Sequence, residues 1–258
     1  MSVTRGAWNK FVKARDHYRL ITEELDRSLP KLKKLQQKLA DTRSAGKTRY
    51  KVETPVVYNR AIDDVTMSDD IRLILVADNP GRREQAAENR RYLVGPSGKI
   101  AERFFKNNPG LKIDFRKNVL ILNKTPIHTP RTNELRELCR LESKAGKLSE
   151  ALEASQRDMA ALLLEFHLAL SAGENKVPVW IIGYSEMKKG GIFEAYTETI
   201  KKLYEQAGKY KYNQIYLFRH FSMNQFTIDL NQQAKPGESV AESLGRIGAA
   251  YRQRILGF

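Results

Sequence analysis

Cysteine is almost absent from this chain of 258 residues: Cys139 is the only one. A lone thiol cannot close an internal disulfide, nor by itself supply the ~4 ligands of a zinc or iron–sulfur centre. The four histidines, His17, His128, His167 and His220, are scattered and follow no metal-binding spacing. No cofactor is expected. Nor does any apolar run approach the ~18 residues of a membrane span, and the basic N-terminus has no apolar signal core. The expectation is a cytoplasmic protein, on the nucleoid in a prokaryote, with no membrane partner. Acidic residues are also few: 30 against 45 Lys and Arg, a net charge of +15. Such a bias is the footprint of a phosphate-rich partner, or else a basic surface that solvent alone satisfies.

What is present is enough for one well-filled domain: 41% of residues are hydrophobic and 29% charged. No repeat or low-complexity segment interrupts it. The charge is uneven, since residues 1–51 carry 14 basic and 5 acidic side chains, a net of +9. Within them Phe11, Tyr18, Leu25, Leu32, Leu35 and Leu39 recur at helical spacing, and Pro30 divides the pattern into two helices. The second is amphipathic and basic, so Lys33 and Lys34 would face a phosphate backbone while its leucines pack on the core. A looser basic stretch, 43–49, follows. Residues 1–51 therefore read as a basic helical extension and 52–258 as the main domain, with a monomer expected.

Four short apolar runs in the main domain have strand length: 71–76, 118–122, 177–182 and 214–218. Helical patterns separate them at 98–106, at 132–170 with a break near 145–146, and at 192–206; a last one spans 238–255. Alternation of this kind predicts an α/β, three-layer sandwich around a mostly parallel four-stranded sheet. In such a sheet the carboxyl ends of the strands share one edge, where ligands bind. The residues following the four runs would meet there: Asp78-Asn79-Pro80-Gly81, Asn123-Lys124-Thr125-Pro126, Gly183-Tyr184-Ser185 and Arg219-His220-Phe221-Ser222. Singly, each polar residue suits a turn former, a loop cap or a structural histidine. Together they bring two amides and an imidazole to one rim.

Ala77-Asp78-Asn79-Pro80-Gly81, followed by Tyr92-Leu93-Val94-Gly95-Pro96-Ser97-Gly98, resembles the first motif of the uracil-DNA glycosylase superfamily, a Gly-x-x-Pro-Gly turn and a downstream Pro-Phe-Val-Gly-x-x-Gly loop. The spacing is most similar to the branch called family four, while asparagine in the third place is a feature of the mismatch-specific and single-strand-selective branches. Asn123 stands where the superfamily has its base-reading asparagine, and His220 where it has His-Pro-Ser. The likeness spans about residues 70–230. Its departures include Tyr92-Leu93 in place of Pro-Phe, no proline after His220, and none of family four's iron–sulfur cysteines.

The resemblance implies a DNA repair enzyme that hydrolyses the N-glycosidic bond of uracil, or a related deaminated base, flipped out of single- or double-stranded DNA. His220, as neutral imidazole, would donate a hydrogen bond to the departing base, and Asn79 would orient water, with the Asp78 carboxylate a second candidate for that task. Asn123 would read the uracil edge. Pro80, Gly81, Tyr92 and Leu93 would line the base pocket, with Tyr92 the only aromatic available there as a platform. Gly98, Lys99, Ser222 and Met223 would hold flanking DNA, with Phe221, Met223 or Phe226 filling the vacated stack. The alternative is a nucleic-acid-binding protein on the same fold without catalysis. Gly95-Pro96-Ser97-Gly98-Lys99 is not a P-loop, since two residues rather than four separate its glycines.

Overall fold

A computed structural model describes residues 4–43, 50–142, 146–173 and 175–258. Residues 44–49, most of the basic stretch after the second helix, lie outside the described residues. So does Ala145 of the expected helix break; Gly146 beyond it takes a left-handed conformation, φ +65°, that glycine adopts without steric cost.

Four strands form one sheet: β1 (Leu73–Ala77), β2 (Val119–Asn123), β3 (Val179–Ile182) and β4 (Ile215–Phe218). Every pairing is parallel, in the order β2-β1-β3-β4. All four are buried along nearly their whole length, as expected of strands that helices cover on both faces. Asn123 is itself the last residue of β2, paired with Ala77, rather than a loop residue beyond it.

The helices are α1 (Arg5–Ser28), α2 (Leu32–Arg43), α3 (Pro96–Asn107), α4 (Glu134–Leu141), α5 (Lys147–Leu170), α6 (Glu194–Ala207), α7 (Lys209–Tyr212), α8 (Gln225–Gln233) and α9 (Val240–Leu256). The β1-to-β2 crossover moves one way along the sheet and the β2-to-β3 and β3-to-β4 crossovers the other, so right-handed connections place α3 on one face and α5 and α6 on the opposite one. On the α3 face Trp180 stacks with Phe105 and meets Phe218 and Phe226 of β4 and α8. Close approach brings α9 onto the same face: a Cβ at Gly248 would stand 2.6 Å from the Phe218 ring. Helix α8 has no counterpart in the predicted elements, because its short pattern directly follows the turn after His220. No helix among the described residues is long and apolar enough to cross a membrane.

The basic N-terminal helices are built into the same core. Helix α1 lies on α5, where Phe11 packs on Phe166, both fully buried. Tyr18, also fully buried, donates to the Tyr92 hydroxyl at 2.7 Å and accepts from the Asn59 backbone N–H at 3.2 Å. Truncating such a ring removes apolar burial and leaves a cavity. Phe11→Ala is expected to cost about 3–5 kcal/mol in urea unfolding. A loss below ~1 kcal/mol would mean that α1 detaches without disturbing the domain.

Candidate functional site

The connections leaving β1 and β3 diverge, so the carboxyl ends of these two central strands frame the crevice where open α/β sheets hold ligands. Asp78 and Gly183 stand on either side of it. Gly183 has φ +79°, and a Cβ there would lie 2.5 Å from Asp78 Oδ1, so glycine is required both by the backbone and by the carboxylate's approach.

Lys124, the residue after β2, reaches under this crevice. Its Nζ is wholly buried and donates to Asp78 Oδ1 at 2.6 Å and to the Ile182 carbonyl at 2.5 Å; the Phe193 ring lies 4.9 Å away. Asp78 Oδ2 accepts from the Thr132 hydroxyl at 2.9 Å. Both carboxylate oxygens are therefore engaged, and one ammonium ties together the ends of β1, β2 and β3. Burial pulls the Lys124 amine below the ordinary lysine range, while the Asp78 carboxylate opposes that shift.

Asn79 turns the other way. Its amide nitrogen donates to Thr129 Oγ1 at 2.9 Å and to the Thr129 carbonyl at 3.1 Å, with the Ile127 carbonyl at 3.5 Å. Since carbonyls only accept, these contacts settle which end of the amide is nitrogen. The Asn79 oxygen is left without a donor among the described residues. The loop it grips is held from behind by His128, whose Nδ1 donates to the Pro80 carbonyl at 2.8 Å and whose Nε2 accepts from the Tyr50 hydroxyl at 3.1 Å. Burial pushes His128 down to about 4, so it is neutral. Gln36 of α2 adds bonds to the carbonyls of Pro55 and His128.

Asn123, 1% exposed, carries a side-chain nitrogen with no hydrogen-bond partner among the described residues. Leaving a buried amide donor unpaired costs about 1–3 kcal/mol, which makes this atom a candidate for a ligand contact. His220, following β4, accepts the Ser222 backbone N–H on Nδ1 at 3.0 Å, with the Ser222 hydroxyl 2.8 Å away. Nδ1 is thus an acceptor, and the neutral ring carries its proton on Nε2. Burial lowers the histidine's proton affinity; Asp78 raises it and Lys124 lowers it further. Beyond it Met223 and Asn224 are consecutive left-handed residues, φ +52° and +58°, and the Met223 side chain is 79% exposed at the tip. Backbone strain of this kind, at a residue other than glycine, gathers at functional sites.

Several sequence expectations are corrected. Tyr92 offers no platform: its ring is buried and its hydroxyl donates to the Val57 carbonyl at 2.6 Å. The reason is Tyr18, which draws that hydroxyl into the core. Leu93 is likewise buried, in a left-handed turn at φ +53°, and its carbonyl accepts from Arg116 at 2.9 Å. Phe221 and Phe226 are stacked on each other beside Phe104 and are not available as wedges. Gly98 serves packing: a Cβ there would lie 1.5 Å from the Leu93 carbonyl oxygen. Lys99 is exposed on α3. Lys33 and Lys34 are exposed on α2, Lys33 within electrostatic reach of Asp26.

Pro80 and Gly81 form the turn that Glu84 closes. The buried Glu84 carboxylate accepts the Gly81 N–H at 2.9 Å and the Leu93 N–H, joining the two halves of the first motif. Lys124, Thr132, His128 and Glu84 had no role in the sequence reading. A lysine directly after an apolar strand was the one available signal. The sequence matches no family model and no curated protein.

Two measurements test this framework. Lys124→Met strands the Asp78 carboxylate, and a loss of about 3 kcal/mol in chemical denaturation is expected; an unchanged midpoint would show that the pair clamps nothing. Burial pushes Glu84 up to about 7 from an ordinary 4.5, outweighing the two N–H donors. Because the folded state holds this proton more tightly, its contribution to stability is complete below pH 4.5 and is lost as pH rises towards 7. Glu84→Gln should flatten the fall in melting temperature between pH 5 and 7.5, and an identical slope in both proteins would refute the assignment.

Proposed function

We propose that the chain hydrolyses the N-glycosidic bond of uracil, or a related deaminated base, flipped out of DNA, as a relative of the uracil-DNA glycosylases. The observation that carries this reading is the buried, unpartnered amide nitrogen of Asn123 at the carboxyl edge of a parallel sheet. An amide presents a donor for uracil O4 and an acceptor for N3–H, a pattern that cytosine reverses.

In the reaction the C1′–N1 bond breaks and its electron pair leaves with the base, while a water oxygen forms the new bond to C1′ and releases its proton to solvent. His220 Nε2–H supports this step by donating a hydrogen bond to the base oxygen that gains charge, without transferring its proton. Asn79 contributes through its free oxygen, which orients the water; an amide cannot take the water's proton, so turnover is slow. Asp78 is assigned to the Lys124 clamp rather than to the water. Met223, exposed on a strained tip, is the remaining apolar wedge for the vacated stack. Net charge of +15 supplies the attraction to phosphate. The near-complete burial of Asn123 and the engagement of both Asp78 oxygens by Lys124 and Thr132 favour one second reading, a protein that binds nucleic acid on this fold without excising a base.

Oligonucleotides carrying one uracil, single- and double-stranded, decide between them after incubation and alkali treatment. Strand breaks without added metal are expected, and Asn79→Ala and His220→Ala should each slow excision at least ~10-fold, about 1.4 kcal/mol of barrier. Activity should persist at neutral pH and fall on the acid side, below the ordinary histidine range of ~6.5, as the lowered His220 takes up a proton. Intact binding with no breaks on either substrate would establish the second reading.

A further inference from the structure

Helix α3 leads away from the first motif with a row of cations on its outer side. Lys99, Arg103 and Lys106 are spaced four and three residues apart, so they share one face. All three are exposed, and none has a hydrogen-bond or ion-pair partner among the described residues. The neighbouring acid, Glu102, points elsewhere, to Arg116. Beside this row, between α3 and the start of α8, lies a cleft of about 540 Å³ walled by Arg103, Asn107, Asn108, Asn224 and Thr227 over the Phe104 ring. Phe104 pins the two walls together, meeting Phe226 at 4.9 Å and Phe221 at 6.3 Å. The side-chain amides of Asn107 and Asn224 are exposed and unbonded among the described residues. Asn224 directly follows Met223, so the cleft opens next to the exposed tip.

We propose that this cleft is a second nucleic-acid subsite, in which Lys99, Arg103 and Lys106 hold successive phosphates of one DNA strand and Asn107 and Asn224 meet a base of that strand. The inference rests on the proposed function only in taking DNA as the partner. Length and charge both suit it. Seven residues of helix extend ~10.5 Å, which matches about three nucleotides at ~3.4 Å of rise per strand. No carboxylate among the described residues lines the cleft, whereas the comparable cleft beside Arg82 and Arg83 contains Glu53 and Glu88. Amides supply donors and acceptors to any base edge, so the subsite would bind without demanding one sequence.

The test uses a fluorescein-labelled, uracil-free single-stranded 15-mer titrated over a salt series with the full chain. Replacing Lys99, Arg103 and Lys106 together by alanine should weaken binding at least ~10-fold at low salt and reduce the slope of log K against log salt by about 2, at ~0.7 per lost phosphate contact. A control removes the same charge before β3, on α6 and on α7, through Lys176→Ala, Lys202→Ala and Lys209→Ala, all exposed, and should keep most of the slope. Asn107→Ala with Asn224→Ala should lower affinity at unchanged slope. Equal losses in the two triple variants, or an α3 triple that binds like the parent, would overturn the subsite. Excision measured on the same proteins separates the two proposals: a slope that falls as expected in a chain that cuts nothing leaves the subsite standing and removes the catalytic reading.

Discussion

One buried ammonium organises the carboxyl edge of the sheet. Lys124 leaves an outer strand, passes beneath the crevice at the centre, and ends between the Asp78 carboxylate and the Ile182 carbonyl. A charge so placed is tolerated only because a carboxylate, a carbonyl and the Phe193 ring together replace water. Separating these partners would strand a buried charge, and that cost adds to the backbone ladders in holding three strand ends together. It also determines what Asp78 can do, because a carboxylate gripped at both oxygens has little left to offer a water molecule.

Around that clamp the polar side chains divide into holders and presenters. His128, Glu84 and Thr129 spend their hydrogen bonds on the loops, and Gln36 gives its amide nitrogen to two loop carbonyls while its buried oxygen has no partner among the described residues. Asn79, Asn123 and His220 each retain polar atoms that no described residue bonds: the amide oxygen of Asn79, the side-chain amide of Asn123 and the Nε2–H of His220. The proposed chemistry draws on them alone, with water as the only other reactant.

Aromatic residues near the site serve rigidity. Phe104, Phe105, Trp180, Phe218, Phe221 and Phe226 form one connected cluster that carries α3 and α8 on the sheet and fixes the turn bearing Met223. A strained turn persists when its surroundings over-determine it. Phe221, immediately after His220, is fully buried and anchors the base of that turn, which leaves the methionine to project alone.

Much of the architecture was legible in the chain. Apolar runs of strand length alternating with helical periods determined four parallel strands and most of the helices, because backbone hydrogen bonding and the 2- and 3.6-residue periods are local properties. The turn at Asn79-Pro80-Gly81 and the placing of Asn79, Asn123 and His220 beyond or at strand ends followed from the same pattern. Side-chain direction did not. Whether Tyr92 faces a base or the core depends on Tyr18, 74 residues away; whether Asp78 is free depends on Lys124, 46 residues away; and Phe221 is a core residue because Phe104 and Phe226 surround it. Those choices are made by partners distant in sequence, through burial and hydrogen bonds that no local period encodes, and only the tertiary structure decided them.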